Sequence, residues 1–262
     1  LMQSADVIID DVRTLLAGDP VYLAGSLVAE QTYGMIAGSH SDVDLFCPTS
    51  QVLIATGQKL LCKGYTLDDR FDRVWARWLR YGFKAWHTNS LRMFSPGGIE
   101  TNLVYKLDDG HPTTSLAQVL ESFDFGLLGS GYDLEHDRYM DLRGYLFAGY
   151  DLDGPLPLMP KKRTNWRSGF TSQYNGLREA GRYAKYHGYG YDMSLVKDDL
   201  ATGYEAAASY MSTAFDDDKK QLGKIYELIQ LKIEADEIDE LAKASALIDY
   251  KDSLDVIMEA LE

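Results

Sequence analysis

The stretch that decides the fold is "YLAGSLVAEQTYGMIAGSHSDVDLF", residues 22–46. Its first apolar residues predict a short buried strand that runs into the pair Gly25–Ser26. A helix is predicted to begin at Ser26, and a second strand is predicted at "DVDLFCP". Because side chains alternate along a strand, Asp42 and Asp44 are expected on one face, about 6–7 Å apart at the backbone.

This combination of residues suits the binding of a phosphate and a metal ion. Two carboxylates on one face of a strand can share Mg²⁺ or Mn²⁺, hard cations that bind oxygen ligands together with substrate phosphates. A glycine lets the backbone approach a phosphate, while a serine hydroxyl and the amides of a helix N-terminus bind its oxygens. A cradle for phosphate beside a metal-binding pair of acids is what nucleotidyl transfer from a nucleoside triphosphate (NTP) requires.

The motifs taken together resemble the signature of the DNA polymerase beta nucleotidyltransferase superfamily. They are Gly25–Ser26, the later Gly34, and Ser41–Asp42–Val43–Asp44–Leu45. The resemblance covers residues 15–135, with a longer segment between Ser26 and Asp42 than the family's common form. It implies an α+β fold, with a nucleotidyltransferase-type mixed sheet flanked by helices and a helical C-terminal domain. It also implies that Gly25 and Ser26 bind the nucleotide and that Asp42 and Asp44 are catalytic metal ligands. A narrower resemblance, to nucleotidyltransferase-like proteins of viruses and phages, rests on "NLVYK", "SLAQVLESFDFGLLGSGYD" and "REAGRYAKYHGYG".

The family pattern includes a third carboxylate on a neighbouring strand, and its place in this chain is open. The aligned residue in "GIETNLVYK" is Asn102, and an amide is neither an anionic ligand nor a base. Glu100 lies on the same face two residues earlier and is one candidate. Asp124 in "ESFDFGLL" is the other; the narrower resemblance favours it as the third catalytic and metal-binding acid. If neither acid reaches the metals, the chain is a catalytically inactive nucleotide-binding or interaction protein on the same fold.

A proline-rich break, "DGPLPLMP", separates two predicted domains. Residues 1–152 are predicted to form the nucleotidyltransferase-like domain, and residues 153–262 a helical domain. Arg178, Arg182 and Lys185 follow helical spacing and form one basic stripe. Superfamily members often use such a region, so the stripe is expected to bind the NTP triphosphate while Tyr174 or Tyr183 stacks on the base. The alternative is a solvated face that balances the acidic C-terminal helices, which are predicted to pack as a cap or to form a homodimer.

Composition limits the partners and the location. The net charge of −14 and pI of 4.7 oppose binding of a long nucleic acid. No apolar run of transmembrane length and no signal-peptide pattern is visible, so no membrane partner is expected. Cys47 and Cys62 lack metal-site spacing and are interpreted as reduced, buried thiols of a cytoplasmic protein.

The sequence therefore predicts a magnesium-dependent nucleotidyltransferase. An acceptor hydroxyl would attack the α-phosphorus of an NTP, and pyrophosphate would leave. The acceptor is left open between a small molecule, a tRNA end and a protein hydroxyl. Besides the inactive nucleotide-binding protein, a toxin-like enzyme that modifies tRNA or protein remains an alternative.

Overall fold

The chain divides into two units, Leu1–Gly149 and Tyr150–Glu262. The predicted boundary at residues 152–153 lies outside the described residues. A computed structural model describes residues 4–33, 42–68, 89–108, 111–123, 126–142, 175–189, 191, 197, 217–249 and 254–262.

In the first unit, four helices accompany nine strands among the described residues. The helices are α1 (Ala5–Leu15), α2 (Ser26–Tyr33), α3 (Ser50–Cys62) and α4 (Leu116–Glu121). The strands are β1 (Tyr22–Ala24), β2 (Val43–Phe46), β3 (Thr66–Leu67), β4 (Asn89–Phe94), β5 (Glu100–Tyr105), β6 (Leu107–Asp108), β7 (His111–Pro112), β8 (Ser130–Asp133) and β9 (Arg138–Asp141). A 3₁₀ turn, Gly126–Leu128, precedes β8.

Seven strands form one mixed sheet in the order β3-β4-β5-β2-β1-β8-β9. Strands β2 and β5 are parallel, and the other neighbouring pairs are antiparallel. Strands β6 and β7 form a separate two-stranded ladder. The predicted α+β class, with a mixed sheet flanked by helices, is confirmed.

The core lies on both faces of this sheet because successive side chains of a strand point to opposite sides. On one face, β1, β2 and β5 contribute buried apolar residues that cluster with α1 and α3: Leu23, Val43, Leu45 and Leu103. The neighbouring positions of the same strands pack with α4 on the other face: Tyr22, Ala24, Phe46 and Val104. Asp44 and Asn102 alternate with the first set and therefore lie on the second face, where the core is smaller.

Local signals of the sequence fix the ends of these elements. Ser4, Thr49 and Ser115 cap α1, α3 and α4, each hydroxyl accepting a hydrogen bond from an N–H of the first turn. The Pro–Gly–Gly turn of residues 96–98 predicts a β-hairpin, and this hairpin joins β4 to β5, with Ser95 N–H donating to the Ile99 carbonyl at 2.9 Å. This hairpin sets the register that later places Asn102.

In the second unit the described helices are α5 (Asn175–Gly188), α6 (Asp217–Glu234), α7 (Ile238–Asp249) and α8 (Leu254–Leu261). Tyr183 is buried in α5, and its hydroxyl donates to Asp236 Oδ1 at 3.4 Å. Burial, with the nearby Asp236 charge, raises the pKa of Tyr183 to about 12. Its ring is therefore part of a core and not available to stack on a base, and Tyr174 lies outside the described residues. The homodimer stays a prediction.

The two cysteines differ in environment. Cys47 is buried at the end of β2, and burial, partly offset by a hydrogen bond with Thr56, raises its pKa to about 12. Cys62 is exposed, so the expectation that both thiols are buried is wrong for this residue. Leu60 occupies the inward position of the last turn of α3, and a residue two places further along a helix faces away.

None of the described helices is both long and apolar enough to cross a membrane.

The turn between β8 and β9 is organised around the carboxylate of Asp133. Its Oδ1 accepts the N–H groups of Glu135 and His136 at 3.1 and 3.3 Å, and its Oδ2 lies 3.3 Å from Arg138 and 3.0 Å from His136 Nδ1. Burial tends to raise the pKa of Asp133, but these hydrogen bonds outweigh it and hold the pKa below its usual value. The ionised form is thus the one that the folded turn favours.

Replacing Asp133 with asparagine should lower the free energy of unfolding by about 1 kcal/mol at pH 7, since the turn loses its charge-assisted bonds. A pKa that folding lowers gives stability above the unfolded-state pKa, and this stability is lost as the pH falls. The difference between wild type and Asp133→Asn should therefore shrink below about pH 5, as measured by urea unfolding. Asp10→Asn, at an exposed carboxylate of α1, is the control and should cost less than about 0.5 kcal/mol throughout. A difference for Asp133→Asn that does not change with pH would contradict this account of the turn.

Candidate functional site

Strand β2 brings the predicted acids to the middle of the sheet. It pairs with β1 so that Asp44 lies opposite Ala24, and with β5 so that Asp44 lies opposite Asn102. Asp42 lies directly before the strand, two residues from Asp44 and hence on the same side. The two carboxylates predicted to act together therefore share a face with Asn102.

The amide of Asn102 joins the two acids. Its Nδ2 donates to Asp42 Oδ2 at 2.6 Å and to Asp44 Oδ1 at 3.2 Å. All three side chains are half-buried, so the group is reachable from solvent. An amide nitrogen carries two hydrogens, and each can serve one carboxylate. The residue aligned with the family's third carboxylate is thus a neutral donor located between the other two.

Gly25 brings the turn after β1 against the same acid. Its φ of +99° lies in the left-handed region, and a Cβ at this position would be 2.7 Å from Asp44 Oδ2. Glycine is required here for both reasons, its backbone angle and the close approach. The turn leads into Ser26, the first residue of α2, which is 4% exposed. The structure thus brings Gly25 and Asp44 into contact and places Ser26 beside them in the chain.

Glu100, one candidate for the third acid, forms an ion pair with Arg92. Arg92 Nε lies 2.9 Å from Glu100 Oε1, and the same guanidinium lies 3.8 Å from Asp68. The hairpin register places Arg92 opposite Asn102, so a positive charge adjoins the amide on the side away from Asp44. Arg92 was not predicted as a residue of this site, although the short turn between β4 and β5 determines its pairing with Asn102.

Asp124, Gly34 and Ser41 lie outside the described residues. The basic stripe of Arg178, Arg182 and Lys185 lies on α5 of the second unit, in the helix that its spacing predicted. Lys185 is exposed, and its ammonium lies 5.9 Å from the ring centres of two neighbouring tyrosines of the same segment.

Among the described residues, one group of three metal-ligating side chains has all its ligand atoms within 4.8 Å of one another: Asp133, Glu135 and His136. The oxygens of Asp133 already accept the hydrogen bonds that form the β8–β9 turn. Its strand position is opposite Tyr22, at the other end of β1 from Gly25. This group therefore belongs to the turn, and Glu100 forms no such group with Asp42 and Asp44.

No protein-family model matches the chain, and no curated protein matches its sequence. Among solved structures, the chain is similar to the apo form of a CCA-adding enzyme, with 18% sequence identity and a TM-score of 0.48. The alignment covers 89% of this chain and 52% of the other. The chain thus spans about half the length of the structure that it matches.

The contact between Gly25 and Asp44 can be tested against a second left-handed glycine. Gly18 has a φ of +82°, and a Cβ there would have no heavy atom within 4 Å. Gly18→Ala should cost about 1–2 kcal/mol, from the backbone angle alone. Gly25→Ala should cost at least about 1 kcal/mol more, because the added methyl also displaces the Asp44 carboxylate. Urea unfolding of both variants measures the difference, and equal costs would contradict the importance of the close contact.

Proposed function

We propose that this chain is a metal-dependent nucleotidyltransferase, which transfers a nucleoside monophosphate from an NTP to an acceptor hydroxyl. The observation that carries the proposal is the meeting of Asp42 and Asp44 beside the Gly25 turn at the start of α2. An acid pair alone is common at the end of a strand. An acid in contact with a left-handed glycine that leads into a helix is a more specific arrangement, suited to a charged phosphate ligand.

The residues of the site fit a hard divalent cation. Asp42 and Asp44 would hold Mg²⁺ or Mn²⁺, since they are half-buried carboxylates with oxygen donors on one face. When bound, the ion supplies charge neutralisation for the phosphates of the NTP. Gly25 lets the Asp44 carboxylate lie against the start of α2, and the first N–H groups of that helix, beginning at Ser26, would be the donors for the phosphate oxygens.

The chain's own contribution to the reaction is to position the NTP and the acceptor. In the transfer, the acceptor oxygen forms a bond to the α-phosphorus, the bond to the leaving pyrophosphate breaks, and the hydroxyl proton passes to a base. Asp124 or Glu100 remains the predicted acid for that proton. Holding the reacting oxygen close to the phosphorus supplies much of the rate enhancement in such reactions.

The charge of the chain favours a small or local acceptor. A net charge of −14 repels an extended polyanion at long range. A small molecule, a protein hydroxyl or a tRNA end avoids most of this repulsion. The basic stripe of α5 is the predicted contact for the triphosphate or for a tRNA end, and substitution of its exposed Lys185 would test that contact.

The sharpest test of the proposal is Asp44→Asn, since asparagine keeps the shape and can still accept a hydrogen bond from Asn102. Magnesium-dependent NTP binding should weaken at least about tenfold, and pyrophosphate release should fall at least about 100-fold, because the cation loses an anionic ligand. Calorimetry with and without Mg²⁺ and a pyrophosphate assay measure these effects, and Asp10→Asn is the matched control.

Labelled NTPs incubated with cell extract would identify whether RNA, protein or a small molecule accepts the label.

A second candidate function is a nucleotide-binding protein without catalysis, and the observation that favours it is Asn102. A neutral amide lies where the family pattern has its third acid. Nucleotide binding that neither requires Mg²⁺ nor changes in Asp44→Asn, with no pyrophosphate released, would support this candidate. Absence of any nucleotide binding would contradict both.

A further inference from the structure

Asn102 occupies the space in which a second cation would need its ligands. The Nδ2 group points into the gap between the acids, 2.6 Å from Asp42 Oδ2 and 3.2 Å from Asp44 Oδ1. The amide must have this orientation in the cation-free chain, because its oxygen would be repelled by both carboxylates. Both of its hydrogens are thereby used, and the two negative charges are held together without a metal.

The number of divalent cations follows from the charge of their ligands. Two such ions about 3.5–4 Å apart repel each other strongly and need anionic oxygens around and between them. Among the described residues, Asp42 and Asp44 are the acids that meet at this place, and their two negative charges balance one divalent ion. Asn102 supplies none, and even after turning its amide over it offers only one neutral oxygen.

The nearest other acid on this part of β5 does not fill the gap. Glu100 is two residues before Asn102, and its carboxylate is paired with Arg92 at 2.9 Å. Within the described ranges, it forms no group with Asp42 and Asp44 in which the ligand oxygens lie within 4.8 Å of one another. Moving it toward the acids would separate it from its guanidinium partner.

We propose that Asn102 limits this site to one divalent cation in the nucleotide-free protein, and that it is the residue that determines the metal stoichiometry. The inference rests on the proposed function in taking Asp42 and Asp44, and not Asp124, as the metal ligands of the nucleotide-free protein. The amide replaces the cation as the group that holds the acids together. The chain is therefore folded with its acids in place before any metal arrives, and an aspartate at position 102 would make the site dependent on metal.

The test is a Mn²⁺ titration of the full chain, followed by calorimetry and by electron paramagnetic resonance of free Mn²⁺. The wild type should bind one ion at this site, and Asn102→Asp should bind two, the second at least about tenfold more tightly than any second ion of the wild type. Asn102→Ala removes the donor without adding charge, so it should still bind one ion. Asp44→Asn and Asp133→Asn assign each bound ion to this site or to the β8–β9 turn.

Thermal unfolding gives a readout that does not depend on catalysis. With EDTA present, the melting temperature of the wild type should not change, whereas that of Asn102→Asp should fall and be restored by Mn²⁺. A wild type that binds two ions at this site, or none, would overturn the proposal, as would Asn102→Asp binding one ion only. Should Asn102→Asp fail to fold even with Mn²⁺, the stoichiometry of the wild type alone decides. One bound Mn²⁺ without any NTP binding would leave this inference standing and contradict the proposed function.

Discussion

The pairing of β2 with an antiparallel neighbour on one side and a parallel neighbour on the other is the constraint on which the site depends. It places Asp44 between Ala24 and Asn102 in adjacent rows of the sheet. The pairing with β1 places the Gly25 turn against the Asp44 carboxylate, and the pairing with β5 places the Asn102 amide beside it. A shift of β2 by one residue would turn both acids toward the apolar face that packs on α1 and α3. The apolar residues Val43 and Leu45 oppose such a shift, because they are buried on that face. The hydrophobic core therefore determines where the charges lie.

The electrostatic pattern across the sheet changes in steps from one strand to the next. Asp44 lies on β2 with Asp42 directly before it, the neutral amide of Asn102 lies on β5, and Arg92 of β4 is paired with Glu100 of β5. Like charges in a half-buried position are costly unless they are hydrogen-bonded. The amide of Asn102 meets that need with two bonds, and Arg92 neutralises the remaining acid. Asp42 and Asp44 are only half-buried, so they remain reachable for the proposed cation.

Local chemistry explains why much of this fold could be predicted from the sequence. Hydroxyl caps, a Pro–Gly–Gly turn and alternating apolar residues act over a few positions, and β1, α2, β2 and the β4–β5 hairpin lie where such local patterns predict them. The contact of Asn102 with Asp42 spans 60 positions, and no local pattern encodes it. The family resemblance predicted that Asn102 lies on a neighbouring strand and lacks a charge, but it did not predict the hydrogen bonds that the amide makes. The exposure of Cys62 and the burial of Tyr183 were missed for a related reason. Which face of a helix is covered depends on its partners, and not on its own periodicity alone.

The contrast between the two thiols has a practical consequence for anyone who works with this chain. With a pKa of about 12 and a buried position, Cys47 stays protonated and shielded from alkylating reagents at neutral pH. Cys62 is open to solvent at the end of α3. A maleimide dye or a nitroxide would therefore attach at a single place on the native chain. Cys62 is therefore a native labelling position, and spectroscopic measurements do not require an engineered cysteine.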